Sequence, residues 1–305
     1  MVWVVGWGGL VCVGDLVEDV VVWAVGTARV GTDNPARVCR TRGGAAANVA
    51  AFAGRLGMAV RFVGRVGEDA VGAALVRDLT EDGVDTKVQR HGRTGTIVIV
   101  VDPSGERTMY PDRAAAGELA DVPDLWLSGA GAVHLSAYSL VGPSLSVLRR
   151  ASALAQADGA ILTIDASSIA LIDAIGPAPF RDLIRTLQPT YLFANGIEAD
   201  IGSLRELASS STTVIVKNGT EPTEIHATAT TTVPVPPVDE VRDTTGAGDA
   251  FAAGFLSAVL DHADAVEAVQ AGHTLARRVL SEPGATLSKP SDESLPADEN
   301  GTARD

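Results

Sequence analysis

The sequence contains few of the residues that mark disulfide-rich, secreted or membrane proteins. Its 305 residues include two cysteines, Cys12 and Cys39, and only 4% aromatic residues. Two cysteines do not form a disulfide framework, which favours a reducing compartment. No apolar run approaches the roughly 20 residues of a membrane-spanning helix, and the apolar N-terminus lacks a basic leader and a cleavage site. We therefore predict a cytoplasmic protein with no membrane partner.

Positive charge is also scarce. Lysine and arginine number 24 against 38 aspartates and glutamates, which gives a formal net charge of −14. Nucleic acids are bound by clustered Lys and Arg, so we expect no nucleic-acid partner. The five histidines lack the spacing of a zinc site, and no GxxxxGK(S/T) loop is present. Any nucleotide is therefore bound in a manner other than that of a P-loop.

The apolar residues that are present predict an α/β fold. They make up 46% of the chain, enough for a sizeable core in one large domain or two smaller ones. Strand and helix patterns alternate at a spacing that favours a mainly parallel sheet flanked by helices. Predicted strands cover 60–66, 97–101, 107–110, 133–135, 161–165, 191–194, 213–216, 224–227 and 231–235. Predicted helices cover 48–56, 69–82, 143–156, 179–187, 198–208, 249–260 and 264–280.

Two regions break this alternation, at 19–42 and 84–113. Both are extended, and Asp102-Pro103-Ser104-Gly105 is a hairpin signal within the second. They are expected to form a small sheet that projects from a core made of residues 1–18, 43–83 and 114–290; ordinary edge hairpins are the alternative. The polar segment 291–305 is expected to be a disordered tail.

The most informative segment is DTTGAGDAFAAGF, from Asp243 to Phe255. Gly246, Ala247 and Gly248 predict a tight turn before a buried helix, whose free N–H groups and dipole attract anions. Asp249 would oppose an anion there unless it removes a proton from an attacking hydroxyl, which makes it a candidate general base. In the alternative interpretation, Asp249 caps the helix and the glycines only form a turn.

A second glycine pair opens another helix of small residues. Gly43 and Gly44 are followed by Asn48, in the pattern GGxxxN, and DTTGAGD lies roughly 200 residues further on. Together the two motifs resemble the signatures of the ribokinase-like (PfkB) family of carbohydrate kinases. The resemblance covers nearly the whole chain and implies a ribokinase-like α/β fold with a small β-sheet lid over the sugar. It also implies transfer of the γ-phosphate of ATP to a sugar hydroxyl, with Mg²⁺ and K⁺.

The resemblance assigns roles to residues of this chain. Asp249 is the catalytic base, and the backbone of Gly246, Ala247 and Gly248 is the anion hole for the migrating phosphate. The remaining roles are sugar binding for Asp15, Asp19, Gly43, Gly44, Asn48 and Arg107; nucleotide binding for Asn195, Lys217 and Gly219; magnesium binding for Glu198 of the NxxE motif; and potassium binding for Asp243, Thr245, Gly284 and Ser288. Lid edges in such kinases often pair, which implies a homodimer through the lid.

Several of these residues have a purely structural alternative. Asn195 and Glu198 could form a capping box, Asp243 and Thr245 could cap a turn, and Arg107 could be a surface charge of the lid. Pro222 replaces the last glycine of a KxGxxG turn that begins at Lys217. Because proline fixes φ and lacks an N–H group, that turn must differ here.

Two other functions remain open at this point. A nucleoside kinase of the adenosine-kinase type would share the motifs, although few aromatic residues are available for base stacking. A non-catalytic protein that senses sugars or nucleotides could also retain the same fold.

Overall fold

Two β-sheets of different size organise the chain. The computed structural model describes residues 7–238 and 240–281. Its strands are β1 (Leu10–Val13), β2 (Val17–Ala24), β3 (Ala36–Gly43), β4 (Val60–Val66), β5 (Asp85–Arg90), β6 (Thr96–Val101), β7 (Arg107–Asp112), β8 (Ala132–Ser136), β9 (Ile161–Asp165), β10 (Tyr191–Asn195), β11 (Thr213–Asn218), β12 (Glu221–His226) and β13 (Thr230–Val233). Its helices are α1 (Ala45–Arg55), α2 (Ala70–Glu81), α3 (Asp124–Leu127), α4 (Ser144–Asp158), α5 (Ile169–Ile175), α6 (Pro177–Leu187), α7 (Gly196–Ile201), α8 (Ala247–Leu260) and α9 (Ala265–Leu280).

The larger sheet has the strand order β13-β12-β11-β10-β9-β8-β1-β4-β5. The pairs from β5 to β11 are parallel, and β12 and β13 continue the sheet antiparallel at one edge. Helices cover both faces, which is why the central strands are continuous apolar runs. The mainly parallel α/β sheet predicted from the sequence is therefore confirmed.

Alternate residues of the central strands separate the core into two layers. In β1, Leu10 and Cys12 pack into one buried cluster, which includes residues of α1, α8 and α9. Val11 and Val13 pack into the other, which includes residues of α4 and α6. Successive side chains of a strand point to opposite faces, so one short strand anchors helices on both sides. This packing fixes α1 and α8, which carry the two glycine motifs, on the same side of the sheet.

The smaller sheet has the order β3-β2-β6-β7, corresponds to the predicted lid and is called the lid below. Its outer pairs are antiparallel, and β2 pairs with β6 in parallel. The predicted lid region 84–113 differs from the structure at its beginning, because β5 (Asp85–Arg90) pairs in parallel with β4 in the large sheet. As an edge strand with partly exposed residues throughout, β5 lacks the apolar run that marks a central strand.

Other differences lie in the helical segments. The predicted helix 198–208 is interrupted: α7 ends at Ile201, and a separate 3₁₀ turn spans Leu204–Leu207. Ser203 between them has a left-handed backbone, with φ of 48°. The short helices α3 and α5 were not predicted. The expected tail 291–305 lies outside the described residues.

Neither cysteine is in a disulfide, and Cys12 is buried in β1. Within the described ranges, no helix is long and apolar enough to span a bilayer.

We expect the close packing of α8 against α9 to tolerate no added atom at Gly254. A Cβ atom there would lie 2.7 Å from the carbonyl oxygen of Ala271. Gly254→Ala should therefore lower the free energy of unfolding by about 1–3 kcal/mol, although alanine favours helix. Chemical denaturation measures the change, with Gly26→Ala as the control because a Cβ at Gly26 has no atom within 4 Å. Equal stability of the two variants would contradict this account of the packing.

Candidate active site

The N-terminus of α8 forms the centre of the site. Gly246 is the residue before the helix, with φ of 75° and no side chain to cap the free N–H groups. The N–H of Ala247 makes a long, 3.4 Å bond to the carbonyl oxygen of Thr244, and those of Gly246 and Gly248 have no partner within the described residues, as an anion site requires. Asp249 is the third helical residue, so the alternative in which it serves as the N-cap does not describe its position.

Asp249 is linked directly to the second glycine motif. The side-chain Nδ2 of Asn48, in α1, donates a hydrogen bond of 2.9 Å to Oδ2 of Asp249. Burial raises the pKa of Asp249 to about 8, partly opposed by the Asn48 hydrogen bond and reinforced by the charge of Asp165. A carboxylate with this pKa is a much stronger base than a solvated one while still ionising near neutral pH.

Three buried side-chain oxygens near the start of α1 have no hydrogen-bond partner in the described structure. They are Oδ1 of Asp15, Oδ1 of Asp19 and Oδ1 of Asn48 itself. Buried polar atoms are normally hydrogen-bonded, so these oxygens are suited to donors brought by a ligand. Burial, and then the charge of Asp15, raise the pKa of Asp19 to about 7, while Arg113 acts in the opposite direction. The arrangement suits a polyhydroxylated molecule, which offers several O–H donors.

The two glycines of the GGxxxN motif allow these carboxylates to approach the start of α1. A Cβ atom on Gly43 would lie 2.1 Å from Oδ1 of Asp19. A Cβ on Gly44 would lie 2.4 Å from the carbonyl oxygen of Asp15, and Gly44 has φ of 102°. A side chain at either position would displace the segment that carries Asp15 and Asp19, which gives both glycines a steric role at the site.

Sequence reasoning missed Arg113 and Tyr138. Nη1 of Arg113 donates a 2.8 Å hydrogen bond to Oδ2 of Asp15, and its guanidinium lies 3.6 Å from the ring centroid of Tyr138. Arg113 directly follows β7, at the base of the lid. The residue lies 98 positions from Asp15, and no local spacing signals the contact.

Lys217, predicted to bind the nucleotide, lies beside the start of α8. Its Nζ lies 3.0 Å from Oδ2 of Asp165, and a Cβ on Gly248 would lie 3.3 Å from Nζ. Burial alone lowers the pKa of Lys217, but the neighbouring carboxylates, Asp165 first, raise it above the ordinary lysine value. The charged ammonium therefore lies beside the first turn of α8. Asp165, which was not predicted, ends β9 at the carboxyl edge of the sheet, where ligands of α/β folds bind.

Asn195 and Glu198 form the capping box that was the alternative to a nucleotide site. The Asn195 N–H donates to Oε2 of Glu198 at 2.8 Å, and the Glu198 N–H donates to Oδ1 of Asn195 at 2.9 Å. Glu198 is also buried, and burial, followed by the charge of Asp165, raises its pKa. Capping does not conflict with a position beside the phosphates.

No group of three or more His, Cys, Asp or Glu side chains in the described part of the chain could hold a metal ion. Magnesium needs only one or two carboxylates when phosphates and water complete its shell. The carboxyl groups of Glu198 and Asp165 fit that requirement.

The turn after Lys217 explains how Pro222 is accommodated. Gly219, with φ of 66°, lies in a short turn between β11 and β12. The β11–β12 register shifts between Val216 and Asn218, so Pro222 falls at an irregularity, and its carbonyl accepts a 3.0 Å hydrogen bond from Asn218 Nδ2. The missing N–H of proline is therefore not required by the ladder.

Arg107 reaches the loop before α8 from the lid. Its Nη1 donates a 2.6 Å hydrogen bond to Oγ1 of Thr245, and its Nη2 contacts Oδ1 of Asp243. The structure thus brings together Arg107 and two of the residues predicted to bind potassium. The other two, Gly284 and Ser288, lie outside the described residues.

Comparison with solved structures shows the fold. A "probable sugar kinase protein" from Rhizobium etli CFN 42 superposes with a TM-score of 0.83 at 22% identity, covering 95% of this chain and 98% of that one. Adenosine kinase from Sinorhizobium meliloti gives 0.81 at 23% identity, covering 94% and 98%. A candidate ribokinase II from E. coli, in complex with ATP and Mg²⁺, gives 0.77 at 20% identity, covering 91% and 94%.

Sequence comparison shows the family. A fructokinase from Klebsiella pneumoniae is 30% identical over 261 residues, which cover 79% of this chain and 85% of that protein. The family model of the pfkB family carbohydrate kinases matches residues 9–292. This match covers both glycine motifs and the carboxylates around them. The chain therefore belongs to the pfkB family of carbohydrate kinases, which are phosphotransferases that act on a sugar hydroxyl.

Proposed function

We propose that this protein phosphorylates a free sugar with Mg-ATP and that Asp249 is its general base. The observation that carries the proposal is the hydrogen bond between Asn48 and Asp249, which joins the two glycine motifs beside three unpartnered acceptors. A buried carboxylate in the first turn of α8 opposes anion binding unless it takes part in proton transfer, so this geometry supports catalysis over sensing.

The reaction follows from these positions. Sugar hydroxyls donate to Asp15, Asp19 and Asn48, and one further hydroxyl faces Asp249. Asp249 takes the proton of that hydroxyl as its oxygen forms a bond to the γ-phosphorus, and the bond from the γ-phosphorus to the bridging oxygen breaks to release ADP. The N–H groups at Gly246–Gly248 stabilise the charge on the transferring group.

Charge at the phosphate end is balanced by two components. The Lys217 ammonium lies beside Gly248 and would contact the phosphates. Magnesium, when bound with ATP, neutralises phosphate charge, and Glu198 and Asp165 would hold it largely through water. Asn195 and Gly219 are proposed to line the nucleotide side.

Fructose is the first acceptor to test, because a fructokinase is similar over most of its length. A nucleoside is the second candidate. A cavity of about 280 Å³ lies between the inner face of the lid and the loop before α8, with Val21, Trp23 and Ile99 among its lining residues. An indole beside aliphatic side chains is a suitable wall for a base. No aromatic pair among the described residues includes Trp23, so a base would stack on a single ring.

The test is release of ADP from Mg-ATP with a panel of hexoses, pentoses, 2-keto-3-deoxygluconate and nucleosides. Potassium stays a prediction of the family resemblance, so the assay compares potassium with sodium. Turnover on one acceptor would identify the substrate class. Absence of both ATP binding and turnover would instead support the sensing alternative. We propose the cytoplasm, where ATP is available, as the site of action.

We predict that Asp249→Asn lowers kcat by about 10²–10⁴-fold, the usual contribution of a general base. The amide retains the shape of the carboxylate but does not accept the proton, so binding of sugar and ATP should change little. Asp261→Asn, at the other end of α8, is the control, because Asp261 is exposed and remote from the site. Near-normal turnover of Asp249→Asn would overturn the mechanism.

We also predict a pH dependence set by two carboxyl groups. Asp19 and Asp249, with pKa values of about 7 and about 8, must both be ionised for activity. The logarithm of kcat/KM for the sugar should therefore rise with a slope near two below pH ~7, near one up to pH ~8, and then level. Asn48→Ala removes the hydrogen bond that lowers the pKa of Asp249, so the upper limb should move to higher pH. A downward shift, or none, would contradict the assignment.

We propose that the protein forms a homodimer through the outer face of its lid. The strand registers put Val20, Val22, Val98, Val100 and Tyr110 on one face of the lid sheet. This is the face opposite Asp19 and Val21, and Tyr110 is 61% exposed. The same registers put Arg40 and Glu18, which form an ion pair, at one end of this face. A second copy would cover the apolar part with the same residues, as a two-fold interface requires.

Val98→Lys should therefore convert a dimer into a monomer, because it buries a charge at the centre of that face. Light scattering coupled to size exclusion measures the mass. Leu125→Lys is the control, since Leu125 is 77% exposed on α3, outside the lid. A wild-type protein that is monomeric at all concentrations would exclude the dimer.

A further inference from the structure

The anion-hole loop, from Arg242 to Gly248, is held at its base by backbone bonds. The N–H groups of Arg242 and Asp243 donate to the carbonyl oxygen of Leu280, at 2.8 and 3.4 Å. The N–H and Oγ1 of Thr245 donate to Oδ1 of Asp243, at 2.8 and 2.7 Å. The Asp243 carboxylate thus determines how the loop approaches Gly246 and the start of α8.

A third donor to the same oxygen comes from the lid. Arg107 is the first residue of β7, and its guanidinium contacts Oδ1 of Asp243 and Oγ1 of Thr245 together. The two charged side chains are 23% and 13% exposed, so the pair is largely shielded from water. A guanidinium forms two directed bonds from one planar group, which fixes orientation as well as charge.

This arrangement does not suit a potassium ion on Asp243 and Thr245. Potassium binds by replacing its hydration shell with oxygen lone pairs. Oδ1 of Asp243 already accepts from Thr245 N, Thr245 Oγ1 and Arg107 Nη2, and a carboxylate oxygen has about two lone-pair directions. A positive charge is also in direct contact with the carboxylate, so a second cation there would be repelled.

We propose that Arg107 takes the place of a monovalent cation in this chain. Its guanidinium neutralises Asp243 and holds the anion-hole loop in its active geometry when the lid is closed. Arg107 is a positioning residue, since it acts on the phosphate through Asp243 and Thr245. The inference rests on the proposed kinase function and deepens it by making one lid residue responsible for both lid docking and loop geometry.

Two consequences distinguish this arrangement from a cation-activated enzyme. The guanidinium is part of the chain and supplies the positive charge itself. Activity should therefore not depend on which monovalent cation the buffer contains. The arginine also leaves with the lid, so the loop loses its positive partner whenever the lid opens. A potassium ion bound by the core alone would stay behind.

The first experiment measures kcat in potassium, sodium and tetramethylammonium chloride at equal ionic strength. The wild type should have the same kcat in all three, within about twofold. Arg107→Ala should lower kcat about 10–100-fold, with a smaller change in the KM for ATP. Outright loss of an anion-hole donor lowers kcat by about 10²–10³-fold, which sets the upper limit for an indirect effect. Added guanidinium should restore kcat in this variant, and urea, which is neutral and of the same shape, should not.

Arg185→Ala is the matched control, because Arg185 is an exposed arginine paired with Asp182 on α6. It should leave kcat unchanged in every salt. A wild-type kcat several-fold higher in potassium than in tetramethylammonium would overturn the inference. Full activity of Arg107→Ala would overturn it as well.

A second measurement does not depend on turnover. The wild-type Tm should be the same in potassium and tetramethylammonium, and Arg107→Ala should lower it. Removing Arg107 from the Asp243→Asn background should lower the Tm less than removing it from the wild type, because the two residues act as a pair. Additive effects, or a wild-type Tm raised specifically by potassium, would overturn the inference. This series decides the role of Arg107 even if no acceptor is phosphorylated, so the inference and the proposed function can fail separately.

Discussion

The burial of one carboxylate at the start of α8 is the constraint on which the rest of the site depends. A solvated aspartate is too weak a base for a sugar hydroxyl, and an isolated buried one would stay protonated near neutral pH. Asp249 lies between these limits: burial raises its pKa to about 8, and the Asn48 hydrogen bond offsets part of that rise. Because Asn48 is in α1, the two glycine motifs must pack against each other before either can function. The shared apolar layer beneath α1, α8 and α9 makes that packing stable.

The charges around Asp249 also determine the form in which ATP can bind. Asp165 and Glu198 lie with Asp249 around the ammonium of Lys217, and each of the three influences the Lys217 pKa. Three carboxyl groups and one ammonium are a poor environment for a bare triphosphate. A divalent cation that enters with ATP would offset part of the phosphate charge beside these carboxyl groups. The proposed site is therefore better suited to Mg-ATP than to free ATP.

The sequence allowed prediction wherever structure depends on local pattern. The strands at 60–66 and 161–165 match β4 and β9 because both are buried and apolar, whereas β5 is an edge strand without that signal. The roles proposed for Asp249 and Asn48 rest on local patterns, each a glycine turn before a helix, and on the resemblance that the two motifs carry together. Arg113 and Asp165 could not be proposed in this way, since they contact Asp15 and Lys217, 98 and 52 residues away. Lys217 was identified from its turn, but its position beside Gly248 depends on tertiary packing.

In the proposed mechanism the lid does more than cover the sugar. Asp19 on the inner face of β2 would supply an acceptor for the substrate, and Arg107 at the start of β7 would supply a charge to the anion-hole loop. Because β2 and β7 are both paired to β6, a movement of the sheet as one body would deliver both groups. A lid that carried only Asp19 would exclude water but leave the anion hole equally active when open. With Arg107 on the same sheet, ATP bound without sugar would face a loop without the Arg107 charge, and transfer to water would be disfavoured until the sugar closes the lid.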